Sequence, residues 1–499
     1  TAVFYQIYPR SFADGNGDGV GDLVGIAERL DHLVDLGVDA VWLSPFYESP
    51  MRDFGYDISD HRAVDPVFGT LDDFDAVIAG LHDRGLRLIV DFVPNHVSSD
   101  HPWFVESRSS RDNPKRDWFF WRDPGPDGGP PFNWTASFTE ESAWEYDERT
   151  DQCYLHLFLP EQPDVNWANP EVEQAQHDVL RFWLDRGVDG FRIDVINAIG
   201  KDPKPRDVPP ELEGLAHVVL THHETAMPLI RRIRETVDAA GDNMIIGEVV
   251  TGDIDLQSSY QGDGDGVNCS VNVASVWAPW ERDHWQRFVT ETESAYPHAG
   301  PRWPSYVLSN HDNVRHRSRY GGSEARARAA AVLLLTLRGT PFLYQGEELG
   351  LEDADVPPDR VVDPGGRDGC RAPIPWTGDE GHGWGPDPWL PFPPDVELRN
   401  VEAQTRGEAT MFRLYQAILA ARRESPALQA GSLELLEEHP AVLSFRRAYG
   451  DDVRVVHVNF SDDAVDVESV GEVVVDTAGA TSGSFDGTLP AGAAVVVRP

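Results

Sequence analysis

Four places in the chain combine charge with an apolar setting: Asp91, the pair Arg192 and Asp194, Glu248, and the pair His311 and Asp312. Each stands at or near the end of a short, mostly apolar run. A charged residue at the tip of an apolar strand is costly unless it has a task. One such residue can simply be a strand reaching water, whereas four together point to a shared site. Arg192 and Asp194 are two apart, so on a strand they face the same side. An arginine there favours the ionised form of the aspartate, which suits a nucleophile. Glu248 has to do the opposite and keep a proton near neutral pH, and Asp312 close by would favour that through like-charge repulsion. Two carboxyl groups in unlike environments are the equipment for cleaving a glycosidic bond. The alternative is a buried ion-pair network without chemistry.

The elements that must position these groups follow a repeated pattern. Asp-Leu-Gly (35–37), Asp-Arg-Gly (83–85) and Asp-Arg-Gly (185–187) precede the apolar runs 38–45, 86–93 and 188–195. Each glycine suits a left-handed helix C-cap, and each run reads as a parallel strand buried on both faces. Further strands are expected at 3–8, 244–249, 306–309 and 340–344, with a weaker one near 267–271. Ile26, Leu30, Leu33 and Leu36 share one helical face, and so do Val332, Leu335 and their neighbours in 324–338. Alternating strands and helices, about eight of each, predict an α/β fold closed as a (β/α)8 TIM barrel. The long Trp-, Pro- and Gly-rich stretch after the third strand predicts an inserted subdomain at 98–164. The barrel then spans 1–97 and 165–425, with a second insertion at 347–402. Alternating runs at 441–446, 453–460 and 493–497 predict a small C-terminal antiparallel β domain, 426–499.

Composition narrows the class. The 499 residues carry a formal net charge of −42, and only Lys115, Lys201 and Lys204 are lysines. Such a chain repels nucleic acid and anionic membranes and favours a neutral ligand. An acidic, lysine-poor surface also suits a salty cytoplasm. Cys153, Cys269 and Cys370 are odd in number and far apart, which argues against a disulfide framework or structural zinc and fits a reducing compartment. The longest apolar run, 329–337, is too short to span a bilayer. No secretory leader is recognisable from Thr1 onward, so a cytoplasmic location is expected. The fifteen tryptophans suit sugar stacking, although most aromatic residues simply pack.

The motifs DFVPNH (91–96), GFRIDV (190–195), GEV (247–249) and SNHD (309–312), with QPDVN (162–166) and GTPFLYQGEE (339–348), resemble glycoside hydrolase family 13, the α-amylase family, over nearly the whole chain. The resemblance implies Asp194 as nucleophile, Glu248 as general acid/base and Asp312 as the third carboxylate, holding ring hydroxyls. It also implies that His96 and His311 contact the sugar and that Arg192 orients Asp194. RDFGYD (52–57) is similar to the pocket-closing stretch of α-glucosidases and oligo-1,6-glucosidases, which implies that Asp53 grips the terminal glucose and Tyr56 stacks on it. RDGCRAPIPW (367–376) resembles a motif of the same group, with Ala372 and Ile374 where Thr and Met are commoner. By that match Arg371 pairs with Asp53 and closes the groove into a pocket. Val195 matches members that accept α-1,6 links.

DGNGDGVGD (14–22) alternates Asp14, Asn16, Asp18, Val20 and Asp22 with glycine, so oxygen ligands can converge on one hard cation. Gly25 stands where an EF-hand needs Glu, so the loop is not one. Similar loops of oligo-1,6-glucosidase-like relatives bind Ca2+, which implies a structural Ca2+ here, with Mg2+ as the alternative; an Asx-turn loop without metal is the other reading. GDGDG (262–266) reads as a plain turn. The expected activity is a retaining, exo-acting α-glucosidase on short α-glucosides, working as a monomer or homodimer. A transglycosylase or isomerase of the trehalose synthase or sucrose isomerase type is the alternative, weakened by the absence of an RLDRD stretch after SNHD. Ancillary transporter subunits of this family need a membrane anchor and often lack the carboxylates, whereas this chain keeps all three.

Overall fold

The computed structural model describes residues 1–138, 141–215, 221–363 and 365–499. Eight parallel strands form the barrel: β1 (Phe4–Ile7), β2 (Ala40–Leu43), β3 (Arg87–Phe92), β4 (Gly190–Ile193), β5 (Met244–Glu248), β6 (Cys269–Val271), β7 (Ser305–Val307) and β8 (Thr340–Tyr344). Hydrogen-bonded neighbours run β6-β5-β4-β3-β2-β1-β8-β7. Two serine side chains close the ring: Ser275, just past β6, exchanges hydrogen bonds with Val307 of β7, and Ser305 bonds back to β6. The Ser305 hydroxyl accepts from the Asn272 N–H at 3.1 Å and donates to the Ser270 carbonyl at 2.6 Å, joining β7 to β6.

The apolar runs divide by strand alternation into two cores. Phe4, Trp42, Ile89, Ile246, Val271, Val307 and Phe342 pack together inside the barrel. Their sequence neighbours Tyr5, Val41, Leu43, Leu88, Val90, Phe191 and Ile245 pack outward with the surrounding helices. Gly37, Gly85 and Gly187 all have positive φ at the ends of the helices that feed β2, β3 and β4. Gly190 at the start of β4 meets a different demand, because a Cβ there would lie 2.0 Å from the Met244 carbonyl oxygen of β5.

The helix over Glu324–Thr336 departs from expectation. Its spacing predicts one apolar face, yet Ala327 through Thr336 are all buried. The C-terminal sheet and the helix Met411–Glu424 cover the side that would otherwise face water. That sheet is antiparallel, in the order Ser432–Leu436, Val442–Tyr449, Asp452–Asn459, Ala494–Arg498, Gly471–Asp476, Ser484–Phe485. The expected runs at 441–446, 453–460 and 493–497 fall on three of these strands. The strands at 432–436 and 471–476 escape sequence reading because they are half-exposed and carry weak alternation.

Between β3 and the helix Pro170–Asp185 lie a short helix, Pro102–Ser107, and a three-stranded antiparallel sheet with Gln152–Leu155 between Trp121–Arg122 and Trp144–Asp147. Phe104, Trp118, Phe119, Trp121 and Tyr154 are buried in one cluster there. Most of the tryptophan-rich run is therefore the core of this subdomain. A bridge between His96 and Asp164 ties its exit and return to one point on the barrel rim. Among the described residues, no helix is long and apolar enough to cross a membrane, and the three cysteines are free and buried.

Buried arginines join barrel to C-terminal domain. Arg447 donates to the carbonyls of Thr336, Gly431 and Ser432, and Arg422 to those of Leu335, Leu428 and Gly339. Both guanidinium groups lie at the C-terminal end of the Glu324–Thr336 helix, where cations are favoured. Arg447→Met leaves three carbonyls unpaired and is expected to cost about 2–4 kcal/mol. The check is the midpoint of denaturant unfolding; an unchanged midpoint counts against this role.

Candidate active site

Strand register assembles the charged cluster. Asp91 on β3 pairs with Arg192 on β4, and Arg192 pairs with Ile246 on β5. Ile89 and Ile246 face the barrel interior, so Asp91, Arg192 and, two residues further on, Asp194 and Glu248 point the same way. Arg192 Nη1 lies 2.7 Å from both Asp91 Oδ1 and Asp194 Oδ1, and Nη2 lies 2.8 Å from Glu248 Oε1. One guanidinium, only 2 % exposed, thus serves three carboxylates. Its plane also lies over Trp42, 4.9 Å from the ring centre, and the Trp42 indole donates to Asp91 Oδ2 at 2.8 Å.

A single cation cannot offset three buried carboxylates. Burial pushes Asp91 up to about 6 against the pull of Arg192. Asp194 is raised well above the ordinary carboxylate range by burial, and Glu248 and Asp91 add to the shift. Sequence reasoning has the partner, and Arg192 does favour the ionised form of Asp194, while burial pulls the other way. Glu248 rests on Arg192 and on the Val195 N–H, which Oε2 accepts at 3.0 Å. Val195 has φ 33°, a strained value for a β-branched residue, directly after Asp194.

His311 and Asp312 lie in the loop beyond β7, not on the strand itself. His311 is stacked between Tyr8 and Tyr56, with ring centres 5.7 and 5.4 Å away. Gln6 Nε2 is 2.7 Å from His311 Nδ1. An amide nitrogen only donates, so Nδ1 accepts and the ring proton sits on Nε2, 3.2 Å from Asp312 Oδ2. Burial lowers His311 to about 3 and keeps it neutral. Asp312 behaves differently: burial alone would raise it, but His311, Arg367 and Arg371 hold it below the usual carboxylate range.

The arginine that pairs with Asp53 is Arg367, not Arg371. Arg367 Nη2 lies 2.6 Å from Asp53 Oδ1 and Nη1 lies 3.0 Å from Asp312 Oδ1. Arg371 lies beneath, donating from Nε to the His311 carbonyl at 2.7 Å and from Nη2 to Asp312 Oδ1 at 2.9 Å. A short turn at Asp368–Arg371 separates the two. The buried carboxylate of Asp363 clasps both, at 2.7 and 3.5 Å, so the first arginine reaches the pocket and the second is confined to its floor. Asp363, Arg367, Gln6 and Gln162 carry no role in the sequence analysis, although Arg367 and Gln162 stand inside the motifs RDGCRAPIPW and QPDVN. The spacing of four between Asp363 and Arg367, inside the same motif as Arg371, is the signal that could have found the first two. Gln162 Nε2 donates to Asp53 Oδ2 at 2.9 Å and lies 3.2 Å from His96 Nε2. His96 is held below its usual pKa by burial.

These groups line a cavity of about 370 Å3 that includes Asp53, Tyr56, His96, Asp194, Glu248, Asp312 and Arg367. The 14–22 loop lies apart from it. Asp14 Oδ1 accepts from the Gly17 N–H at 2.7 Å, and Oδ2 from the N–H groups of Gly19 and Gly385. Asp22 caps the following helix through Gly25 at 2.6 Å. Asn16 and Asp18 each accept at 2.8 Å from the N–H two residues on. Among the described residues no group of three or more His, Cys, Asp or Glu side chains is gathered to hold a metal ion. A cation here would draw on the Asn16 amide oxygen and the Val20 carbonyl beside the carboxylates, an all-oxygen set of the kind hard cations take. The GDGDG stretch is a turn.

A closed parallel barrel with carboxylates at the C-terminal ends of β4 and β5 places its charged cluster where barrel enzymes carry their active sites. The α-amylase catalytic domain matches residues 6–431, and the chain belongs to that family. A probable α-glucosidase of Rhizobium meliloti (strain 1021) is 42 % identical over 501 residues, spanning 94 % of this chain and 90 % of its own length. An oligo-1,6-glucosidase of Heyndrickxia coagulans is 37 % identical, spanning 93 % and 92 %. Among solved structures, the α-glucosyl transfer enzyme XgtA superimposes with a TM-score of 0.91 at 38 % identity, covering 100 % of this chain and 99 % of its own. The trehalulose synthase MutB of Pseudomonas mesoacidophila MX-45 does so with 0.90 at 32 %, covering 99 % and 98 %.

The shared guanidinium makes a prediction about pH. A negative neighbour raises a carboxylate's pKa, so removing it lowers that pKa and leaves more of Asp194 ionised in acid. Asp91→Asn is therefore expected to move the acid limb of kcat/KM to lower pH. A limb that stays in place would mean that this cluster does not govern Asp194.

Proposed function

We propose that this chain is a retaining, exo-acting α-glucosidase that removes single glucose units from short, neutral α-glucosides of the maltose or isomaltose type. The observation that carries this reading is the Asp53–Arg367 ion pair in the cavity lining, which we read as a closed end that admits a chain end and excludes a chain middle. Asp194 attacks the anomeric carbon while Glu248 protonates the departing glycosidic oxygen. Water, deprotonated by Glu248, then releases glucose from the glycosyl-enzyme. Holding both carboxyl groups on one guanidinium suits the short separation of a retaining pair, about 5–5.5 Å, rather than the wider gap of inverting enzymes. Arg192 orients Asp194. Asp312, neutral His311, His96 and Asp53 offer hydrogen bonds to ring hydroxyls, and Tyr56 a stacking face. Val195 favours acceptance of α-1,6 links. The family membership and the α-glucosidase and oligo-1,6-glucosidase relatives support the same reading.

A second reading rests on the solved neighbours, which include a glucosyl-transfer enzyme and a trehalulose synthase. The same glycosyl-enzyme passes to a sugar hydroxyl in place of water. Product analysis separates the two. Glucose from maltose or isomaltose, first released as the α-anomer, with little attack on starch or dextran, is the expected result; isomers, longer oligosaccharides or rapid polymer attack would overturn it. Asp194→Asn is expected to abolish turnover, and Glu248→Gln to lower it by at least about 100-fold; wild-type-like rates would sink the roles.

We also propose a structural Ca2+, with Mg2+ as the alternative, in the 14–22 loop, supported by its all-oxygen donors. Millimolar CaCl2 added to chelator-treated protein is expected to raise the thermal midpoint, and Asp18→Ala to remove that rise. An unchanged midpoint would leave the loop as a set of Asx-turns.

A further inference from the structure

The mouth of the cavity differs from its interior. Asp53, Asp194, Glu248, Asp312 and Arg367 are all drawn inward, whereas Trp277 lies at the rim with 52 % of its surface exposed. An exposed indole beside a buried charged site is an unusual arrangement for a residue with a packing role. Its backbone is not loose. Trp277 ends a short helical turn, Val273–Trp277, just past β6, and Ser275 pins that turn by donating to the Val307 carbonyl at 2.7 Å. The ring is also fixed in direction. Its Nε1 donates to Asn313 Oδ1 at 2.9 Å, Asn313 Nδ2 donates to Asn310 Oδ1 at 2.9 Å, and Asn310 Oδ1 accepts from the Asp312 N–H at 3.0 Å. A chain of hydrogen bonds thus sets the indole against the loop that carries Asp312. Val250 and Val273 also line the cavity.

We propose that Trp277 is the specificity-determining residue for the aglycone, stacking on leaving groups and acceptors that present a flat apolar face, such as an aryl group or the C–H face of a second sugar. The assignment rests on the α-glucosidase reading. Glucose is held by hydrogen bonds at the inner end, and Trp277 selects what is attached to it. Aromatic stacking of this kind changes rates only for substrates with a face to stack.

The test compares wild type, Trp277→Ala, Trp277→Phe and Asn313→Ala on p-nitrophenyl α-glucoside, isomaltose and methyl α-glucoside. Calorimetry of 1-deoxynojirimycin, which fills only the glucose position, accompanies the rates. Trp277→Ala is expected to lower kcat/KM by about 5–10-fold for the first two substrates. Methyl α-glucoside turnover and the 1-deoxynojirimycin Kd are expected to stay within about twofold. Trp277→Phe restores most of the loss, and Asn313→Ala gives the same pattern more weakly. Equal losses on all three glucosides, or a weakened iminosugar, would make Trp277 a prop for the Asp312 loop. Unchanged rates would overturn the assignment outright. If wild type binds 1-deoxynojirimycin but cleaves none of the glucosides, the hydrolytic reading fails and takes this assignment with it.

Discussion

The guanidinium of Arg192 is the constraint around which the rest of the structure is arranged. It is buried, permanently charged and bonded to Asp91, Asp194 and Glu248 at 2.7–2.8 Å. Burying any of these groups alone would be prohibitive. Together they leave an excess of negative charge, and burial, with that excess adding to it, lifts the pKa values of Asp91 and Asp194. Asp312, a few residues beyond β7, has the opposite surroundings, with two arginines on one oxygen. The same side-chain type is therefore set to different protonation behaviour by burial and by its charged neighbours.

Parallel register makes this arrangement possible. Asp91, Arg192 and Ile246 lie in line across three strands, so every second residue above that line faces the barrel mouth. The strands are short and the barrel is filled below by Phe4, Trp42, Ile89, Ile246, Val307 and Phe342. That filling supplies the rigid floor on which Trp42 meets both Asp91 and Arg192.

Two excursions from the barrel complete the pocket. The subdomain after β3 brings Gln162 to Asp53. The segment 363–371 brings an acid and two bases together, with Asp363 holding Arg367 and Arg371 apart at different depths. Asp53, Asp312 and Asp363 converge on Arg367 from three separate chain segments.

The sequence by itself determined the elements and the chemistry that depend on local pattern. Apolar runs, helix-ending glycines and the positions of Asp91, Arg192, Asp194, Glu248 and Asp312 predict the barrel, its insertion, its C-terminal β domain and the carboxylates, because burial on two faces and strand parity are read residue by residue. The tertiary structure alone decided which groups share a charge. Arg367 rather than Arg371 reaches Asp53, Arg192 is divided among three carboxylates while burial lifts Asp194, and the helix Glu324–Thr336 is buried on its outer face by strands more than a hundred residues away. Each of these outcomes depends on distances between segments remote in the chain. Electrostatic and packing energies follow those distances, and no local spacing encodes them.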